Sequence, residues 1–225
     1  MGTSQPVVAL IHATPASIGP AHAAFAADFP TASLWNLLDD LLISQAEQAG
    51  GLTAGLHRRM QTLIRYAVDG GADAVLLTCS MYGPVAHELA ATVAVPVLAS
   101  DQALFDDVAA RDAKRISVLG PVRAGADDTA ARLRAHLGDG PRITAGVVEG
   151  ARAATTAGDP EALDQVVATA VQAVPKDVDL IVLGQFSISP AQVAAQRAVS
   201  VPVLSPPQLA AQRLRRHFAE AGAAQ

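Results

Sequence analysis

The sequence predicts an α/β protein: two similar parallel-sheet lobes related by pseudo-twofold duplication, with a functional site between them. Three observations predict it. Residues 73–98, DAVLLTCSMYGPVAHELAATVAVPVL, align without a gap to residues 179–204, DLIVLGQFSISPAQVAAQRAVSVPVL. Asp73 meets Asp179, Pro84 meets Pro190, and Val95-Pro96-Val97-Leu98 meets Val201-Pro202-Val203-Leu204. A repeat of this length implies two similar supersecondary units. Short apolar runs also alternate with amphipathic stretches, the pattern of parallel strands joined by crossover helices. Finally, small and polar residues cluster just after several strands, where open α/β sheets bind ligands. The repeat divides the chain into a first lobe of residues 1–98 with 206–225, carrying Cys79, and a second lobe of residues 99–205, carrying Gln185.

Taken in order, residues 6–11 read as a buried strand followed by a loop over 12–20. A helix is expected at 21–28, a strand at 32–37 and a flexible connector at 44–51. Leu56, Met60, Leu63 and Ala67 recur at helical spacing, and Gly70-Gly71 stops that helix. Residues 74–77 form an apolar strand ending at Thr78-Cys79-Ser80. A helix starts near Pro84, since proline suits a first turn. Residues 95–98 are the next strand, and Asp101 is placed to cap the helix after it. The second half repeats the scheme: strand 115–119, loop 120–125, a helix to about Leu137, and strand 143–148. Asp159-Pro160 opens a helix whose apolar face is Leu163, Val166, Val167 and Val174. Strand 179–183 leads into Gln185, a helix begins near Pro190, residues 201–204 form the last strand and 206–221 the last helix.

The chain has 225 residues, 51% of them hydrophobic, a net charge of −5 and a pI near 5.6. That is enough to bury a full core and excludes a disordered chain. The one basic cluster, Arg213, Arg215 and Arg216, reads as a solvated helix face, so no nucleic-acid partner is expected. A single cysteine forms no internal disulfide and builds no thiolate zinc site; a reducing cytoplasm is the expected compartment. No apolar run is long enough for a bilayer, so no membrane partner is expected. The start MGTSQPVVAL lacks a basic signal-peptide region, and Pro6 breaks the myristoylation pattern. There is no Walker A sequence, no Gly-x-Gly-x-x-Gly and no Gly-x-Ser-x-Gly, so nucleotide, dinucleotide and serine-hydrolase readings have no support. His57, His87, His136 and His217 lack ligand spacing, and no metal site is expected.

Cys79 leads the candidate residues. It lies past one strand and just before a helix, where unpaired amides favour a thiolate that can exchange a proton or attack carbon. The bland alternative is a small buried hydrophobe. Thr78, Ser80 and the amides around Met81 suit a carboxylate or enolate oxygen, with helix capping by Ser80 as the plain alternative. His12 and Thr14 follow the first strand; His12 reads equally as a proton shuttle and as a hydrogen-bonded turn residue. Asn36, Asp39 and Asp40 lie at the end of the second strand and read as a polar loop with a helix cap. Arg123, in the loop Gly120-Pro121-Val122-Arg123, suits a bidentate carboxylate contact, though exposed loop arginines are common. Gln185 hydrogen-bonds but exchanges no proton near neutral pH, and Ser187 is a further polar contact.

The segments VVALIHATPAS, LWNLLDD, LLTCSMYG and LGQFSISP, together with the duplication, resemble the aspartate/glutamate racemase superfamily over almost the whole chain. That group includes amino-acid and hydantoin racemases, maleate isomerase and arylmalonate decarboxylase. The resemblance implies flavodoxin/Rossmann-like lobes, a small carboxylate or ring-amide substrate, no cofactor, and a homodimer. It also implies two cysteines, one from each half, that pass a proton across the substrate's α-carbon. Cys79 matches the first, Ser80 and Met81 the oxyanion-binding pair after it, and residues 120–123 a substrate loop. The second cysteine is replaced by Gln185, and Phe186 stands where a small residue is usual. The pattern therefore favours a one-cysteine decarboxylase or isomerase over a two-base racemase. Two alternatives stay open: Cys79 as a covalent nucleophile in isomerase or lyase chemistry, and a degenerate protein that only binds a small carboxylate.

Overall fold

The computed structural model describes residues 5–223; residues 1–4, read above for targeting signals, lie outside them. By backbone contacts the chain forms two compact units, Met1–Gln102 with Pro207–Gln225, and Ala103–Pro206. Each is built on a four-stranded, all-parallel sheet.

In the first unit the elements run β1 (Val7–His12), α1 (Ile18–Asp28), β2 (Ser33–Leu38), α2 (Leu41–Ala49), α3 (Ala54–Asp69), β3 (Ala74–Leu77), α4 (Gly83–Ala90) and β4 (Val97–Leu98). The sheet order is β2-β1-β3-β4. Odd-numbered strand residues Ala9, Ile11, Val75, Leu77 and Val97 share one core with Leu42, Met60, Ile64 and Val85 from α2, α3 and α4. The alternate residues Val8, Leu10, Leu76 and Leu98 are buried too, so the sheet is covered on both faces, as parallel sheets are.

The second unit follows the same plan with α5 (Gln102–Ala109), β5 (Arg115–Gly120), α6 (Arg123–Leu137), β6 (Arg142–Val147), α7 (Ala151–Ala157), α8 (Pro160–Gln172), β7 (Leu180–Leu183), α9 (Gln192–Ala198) and β8 (Val203–Leu204). Its sheet order, β6-β5-β7-β8, is that of the first unit. The closing helix α10 (Pro206–Ala223) starts at its end and returns the chain to the first unit.

The duplicated residues do the same work twice. Asp73 Oδ2 accepts the Val7 amide at 2.8 Å while its own amide donates to Val7 O. Asp179 Oδ2 accepts the Lys114 and Arg115 amides at 2.9 and 2.8 Å while its amide donates to Arg115 O. Each aspartate thus pins the start of a central strand. Pro96 and Pro202 have no N–H to give a ladder, but their carbonyls accept the Val75 and Ile181 amides. The edge strands β4 and β8 shrink to two residues each, shorter than the apolar runs that predict them.

Other expectations need correction. Residues 44–51 are not a flexible connector: α2 occupies most of them, with Leu42 and Ala46, one helical turn apart, buried. Its stop is Gly50 at φ 73°, in the left-handed region that glycine enters without penalty. The polar run Gln-Ala-Glu-Gln hides a two-residue apolar stripe. Helix α7 was not expected; it is a seven-residue alanine-rich turn set between Gly150 and Gly158, both with positive φ. His12 closes β1 rather than opening a loop, and Arg123 is the first residue of α6 rather than a loop residue.

Asp179→Ala should melt below the wild type at neutral pH. The bonds from Arg115 and Lys114 hold the Asp179 carboxyl below its ordinary 3.8. A depressed carboxyl stabilises the fold above that value and stops doing so as pH falls through its lower folded value. Melting curves should therefore show the gap between variant and wild type narrowing below about pH 3.8.

Candidate active site around Cys79

The central strands of the first unit end side by side. The Thr78 amide donates to Ile11 O at 3.0 Å, continuing the β1–β3 ladder one residue beyond β3. Cys79 stays extended at φ −117° and ψ 120°, and a short 3-10 turn, Ser80–Tyr82, then carries the chain into α4. Because the backbone is extended, side chains alternate. Leu77 and Cys79 therefore share a face, and both pack on the core under α2, α3 and α4. Thr78 points the other way. Cys79, Ser80 and Met81 are each half-buried, so the sulfur is neither sealed in the core nor fully open. Ser80 starts the turn and does not cap a helix; Cys79 holds the cap position, without a side-chain cap bond.

The opposite face carries a buried polar knot. His12 is fully buried, with Nδ1 2.8 Å from Ser17 Oγ and 2.9 Å from Thr78 Oγ1. The two hydroxyls lie 2.9 Å apart, and carbonyls of Thr14 and Ile11 stand beside them at 3.0 and 3.2 Å. His12 Nε2 lies 3.1 Å from Asn36 Oδ1, which also lies 2.9 Å from His22 Nε2. Burial holds the His12 imidazole below its ordinary 6.5; the Asn36 bond opposes this and the charge of His22 adds to it. Thr14 caps the 3-10 turn Pro15–Ser17 by accepting the Ala16 amide. His12, Thr14 and Thr78 are thus brought together, through Ser17, which sequence reasoning did not single out. The signal was available: a serine five residues after a strand-end histidine, inside a loop flanked by proline.

Tyr82 was also missed. It is fully buried, its hydroxyl donates to Leu42 O at 3.0 Å, and its phenol is pushed up to about 12 by burial first, then by charge at Cys79 and Asp39, with Arg59 opposing. It ties the turn after Cys79 to α2. Asp39 is bound by Arg59 at 2.7 Å, and Arg59 also donates to Gln45. Asp40 occupies the cap position of α2 without a cap bond. Among the described residues, Ser100 Oγ, just after β4, is the buried side-chain polar atom without a hydrogen bond.

In the second unit Gly184 repeats Thr78, its amide donating to Leu119 O at 2.8 Å. Gln185 repeats Cys79, extended at φ −138° and ψ 146° and followed by the 3-10 turn Phe186–Ala191. Its side chain lies across the first turn of α6, where a Cβ on Gly125 would sit 2.0 Å from Nε2. Phe186 is buried and Ser187 half-buried, its carbonyl accepting the Thr155 hydroxyl. The exposed Arg123 is turned onto the β6 edge, donating to Ala145 O at 3.2 Å with Asp127 3.6 Å away.

Residues 6–214 match the family model for Asp/Glu/hydantoin racemase, and the chain belongs to that family. Solved structures agree in fold. Glutamate racemase from Thermus thermophilus, in complex with β-chloro-D-alanine, aligns with a TM-score of 0.72 at 17% identity over 98% of this chain and 83% of that one. Allantoin racemase from Klebsiella pneumoniae aligns with a TM-score of 0.70 at 18% identity over 96% and 89%. A glycine-to-cysteine mutant of arylmalonate decarboxylase aligns with a TM-score of 0.56 at 20% identity over 93% of both chains. A sequence search of curated proteins gave no significant match. Among the described residues, no helix is long and apolar enough to cross a membrane, and no three His, Cys, Asp or Glu side chains gather as a metal site.

A histidine whose folded proton affinity is lowered favours the fold above its ordinary value, and that contribution is lost as pH falls toward the lower folded value. Wild-type stability should therefore decline as pH drops below 6.5. In His12→Asn, which cannot titrate, the decline should be weaker, so the stability gap between the two proteins narrows from pH 8 to pH 5.5 in urea titrations.

Proposed function

We propose that this protein is a cofactor-independent enzyme in which Cys79 alone exchanges a proton with a carbon next to a carboxylate, in a decarboxylation or isomerisation of a small acid. The observation that carries the reading is Gln185. It stands at the repeat position of Cys79, in the same extended conformation after the same strand and before the same kind of turn. Passing a proton across a carbon needs a titratable group on each side, and a carboxamide does not titrate near neutral pH. One thiol serves one face.

The chemistry follows from that asymmetry. In a decarboxylation, the breaking C–C bond leaves its electron pair on the substrate as an enediolate while carbon dioxide departs. The Cys79 S–H then delivers its proton to the carbon, and the thiolate regains one from solvent. The negative charge develops on oxygen, so fixed donors beside it lower the barrier. The Ser80 hydroxyl and the amides of Ser80 and Met81 are the donors nearest in sequence to the sulfur, the Tyr82 amide being given to the Cys79 carbonyl. Thr78 serves differently, since its hydroxyl is engaged with His12, Ser17 and the Ile11 carbonyl; it holds the segment that presents Cys79. In an isomerisation the thiolate removes a proton from one carbon, the electron pair moves into the conjugated enediolate, and the thiol returns the proton on the same side to a different carbon as the double bond shifts. The racemases and the decarboxylase among the structural neighbours are consistent with either course.

The test is proton NMR in deuterated water against a panel of 2-substituted malonates, maleate and chiral 2-substituted acids. Wild type should place deuterium on one face only, and Cys79→Ala should slow turnover by about 10³-fold, within the usual range for a lost acid/base group. Equal turnover by Cys79→Ala would remove the sulfur from the mechanism. Racemic product from wild type would remove the one-base reading.

A further inference from the structure

The buried knot contains more close contacts than its hydroxyls have protons. His12 Nδ1, Ser17 Oγ and Thr78 Oγ1 form a triangle with sides of 2.8 to 2.9 Å, and the Thr14 and Ile11 carbonyls flank it. Each hydroxyl supplies one proton. If Nδ1 is bare, its single lone pair takes one of them. The other hydroxyl oxygen then faces a nitrogen lone pair at hydrogen-bond distance with no proton between, and one carbonyl loses its side-chain donor. If Nδ1 carries the proton, that proton is shared between the two oxygens. Both hydroxyls are then released to donate outward, Ser17 to Thr14 O and Thr78 to Ile11 O. Protonating both ring nitrogens would also satisfy the triangle, but it would place a charge where His12 is fully buried.

With the proton on Nδ1, Nε2 of the neutral ring is an acceptor, and it faces Asn36. A half-turn of the Asn36 amide exchanges its oxygen and nitrogen without changing the side chain's outline. The amide nitrogen then takes the place of Oδ1, which lies 3.1 Å from His12 Nε2 and 2.9 Å from His22 Nε2, and gives one hydrogen to each; the accepting bond that opposes the effect of burial on His12 is replaced by a donating one. Every atom of the cluster then has a partner of the right polarity, and the one contact left without its own proton is the 2.9 Å Ser17–Thr78 oxygen pair, bridged by the shared Nδ1 hydrogen.

We propose that His12 is locked as the neutral Nδ1–H tautomer, that the Asn36 amide gives one hydrogen to His12 and one to His22, and that this network positions Cys79. Thr78 is the link. Its amide and its hydroxyl both donate to Ile11 O while His12 donates to the hydroxyl, so the residue before Cys79 is clamped to β1 on both counts. His12 is a positioning residue, one side chain removed from the sulfur. Its functional meaning rests on the role given to Cys79 above.

Long-range proton–nitrogen correlation spectra of the uniformly labelled full chain decide the tautomer, with His12→Asn supplying the assignment. The expected result is a protonated Nδ1 and a bare Nε2 at neutral pH. Asn36→Asp offers only acceptors and should move the proton to Nε2. Asn36 is exposed, so this variant should fold. Alkylation by iodoacetamide reports Cys79 alone, as the only cysteine. It should be about tenfold faster in Asn36→Asp and His12→Leu than in wild type, and close to wild type in His12→Asn, which keeps a donor at the same place. A wild-type proton on Nε2 overturns the tautomer. Alkylation unchanged in folded Asn36→Asp overturns the positioning role, whether or not His12→Leu folds. Neither readout needs turnover, so both stand apart from the assay of the proposed reaction.

Discussion

The hydrogen bond from the Thr78 amide to the Ile11 carbonyl is the constraint on which the candidate site depends. It extends the parallel ladder one residue past β3 and keeps the backbone extended through Cys79. Without it, the alternation of side chains would end a residue early, and sulfur and threonine would not separate onto opposite faces. The separation matters because the two faces do different things. One carries the thiol over an apolar core, where a small partly buried sulfur is at home. The other carries a polar knot whose groups are bound to one another and to β1. Rigidity is placed behind the sulfur instead of around it.

The same backbone plan in the second unit ends on a different chemistry. Gly184 repeats the ladder bond and Gln185 repeats the extended residue, yet among the described residues no buried imidazole knot accompanies them. The position of Thr78 is held by a glycine whose added Cβ would press on Thr129. Duplication has kept the scaffold and let the side chains at the strand ends diverge. This is how a fold of this type hosts more than one reaction.

Much of this was legible in the sequence, and for identifiable reasons. Asp73 and Asp179 stand out because both halves need an acceptor at the same strand start. The strands around Val75 and Ile181 stand out because strands covered on both faces are apolar throughout. Cys79 and Gln185 could be placed at strand ends because the repeat aligns them. Three things were not legible. Helix α2 has an apolar stripe of two residues, too short to show a period. The side Thr78 faces depends on whether extended backbone persists past the strand, which a residue string does not reveal. The knot joins residues 12, 17, 36 and 78 across three strands and a turn, and only the register β2-β1-β3 brings them together.

Gly125 carries a consequence for how this protein can change. Its missing side chain is what lets the Gln185 amide rest on the first turn of α6. The dependence runs one way: a Cβ at 125 would push the flexible end of Gln185 aside, whereas a shorter side chain at 185 meets nothing and leaves only the open glycine surface beneath it. Position 185 is therefore free to shrink in one step, while position 125 is held small by whatever long side chain lies over it.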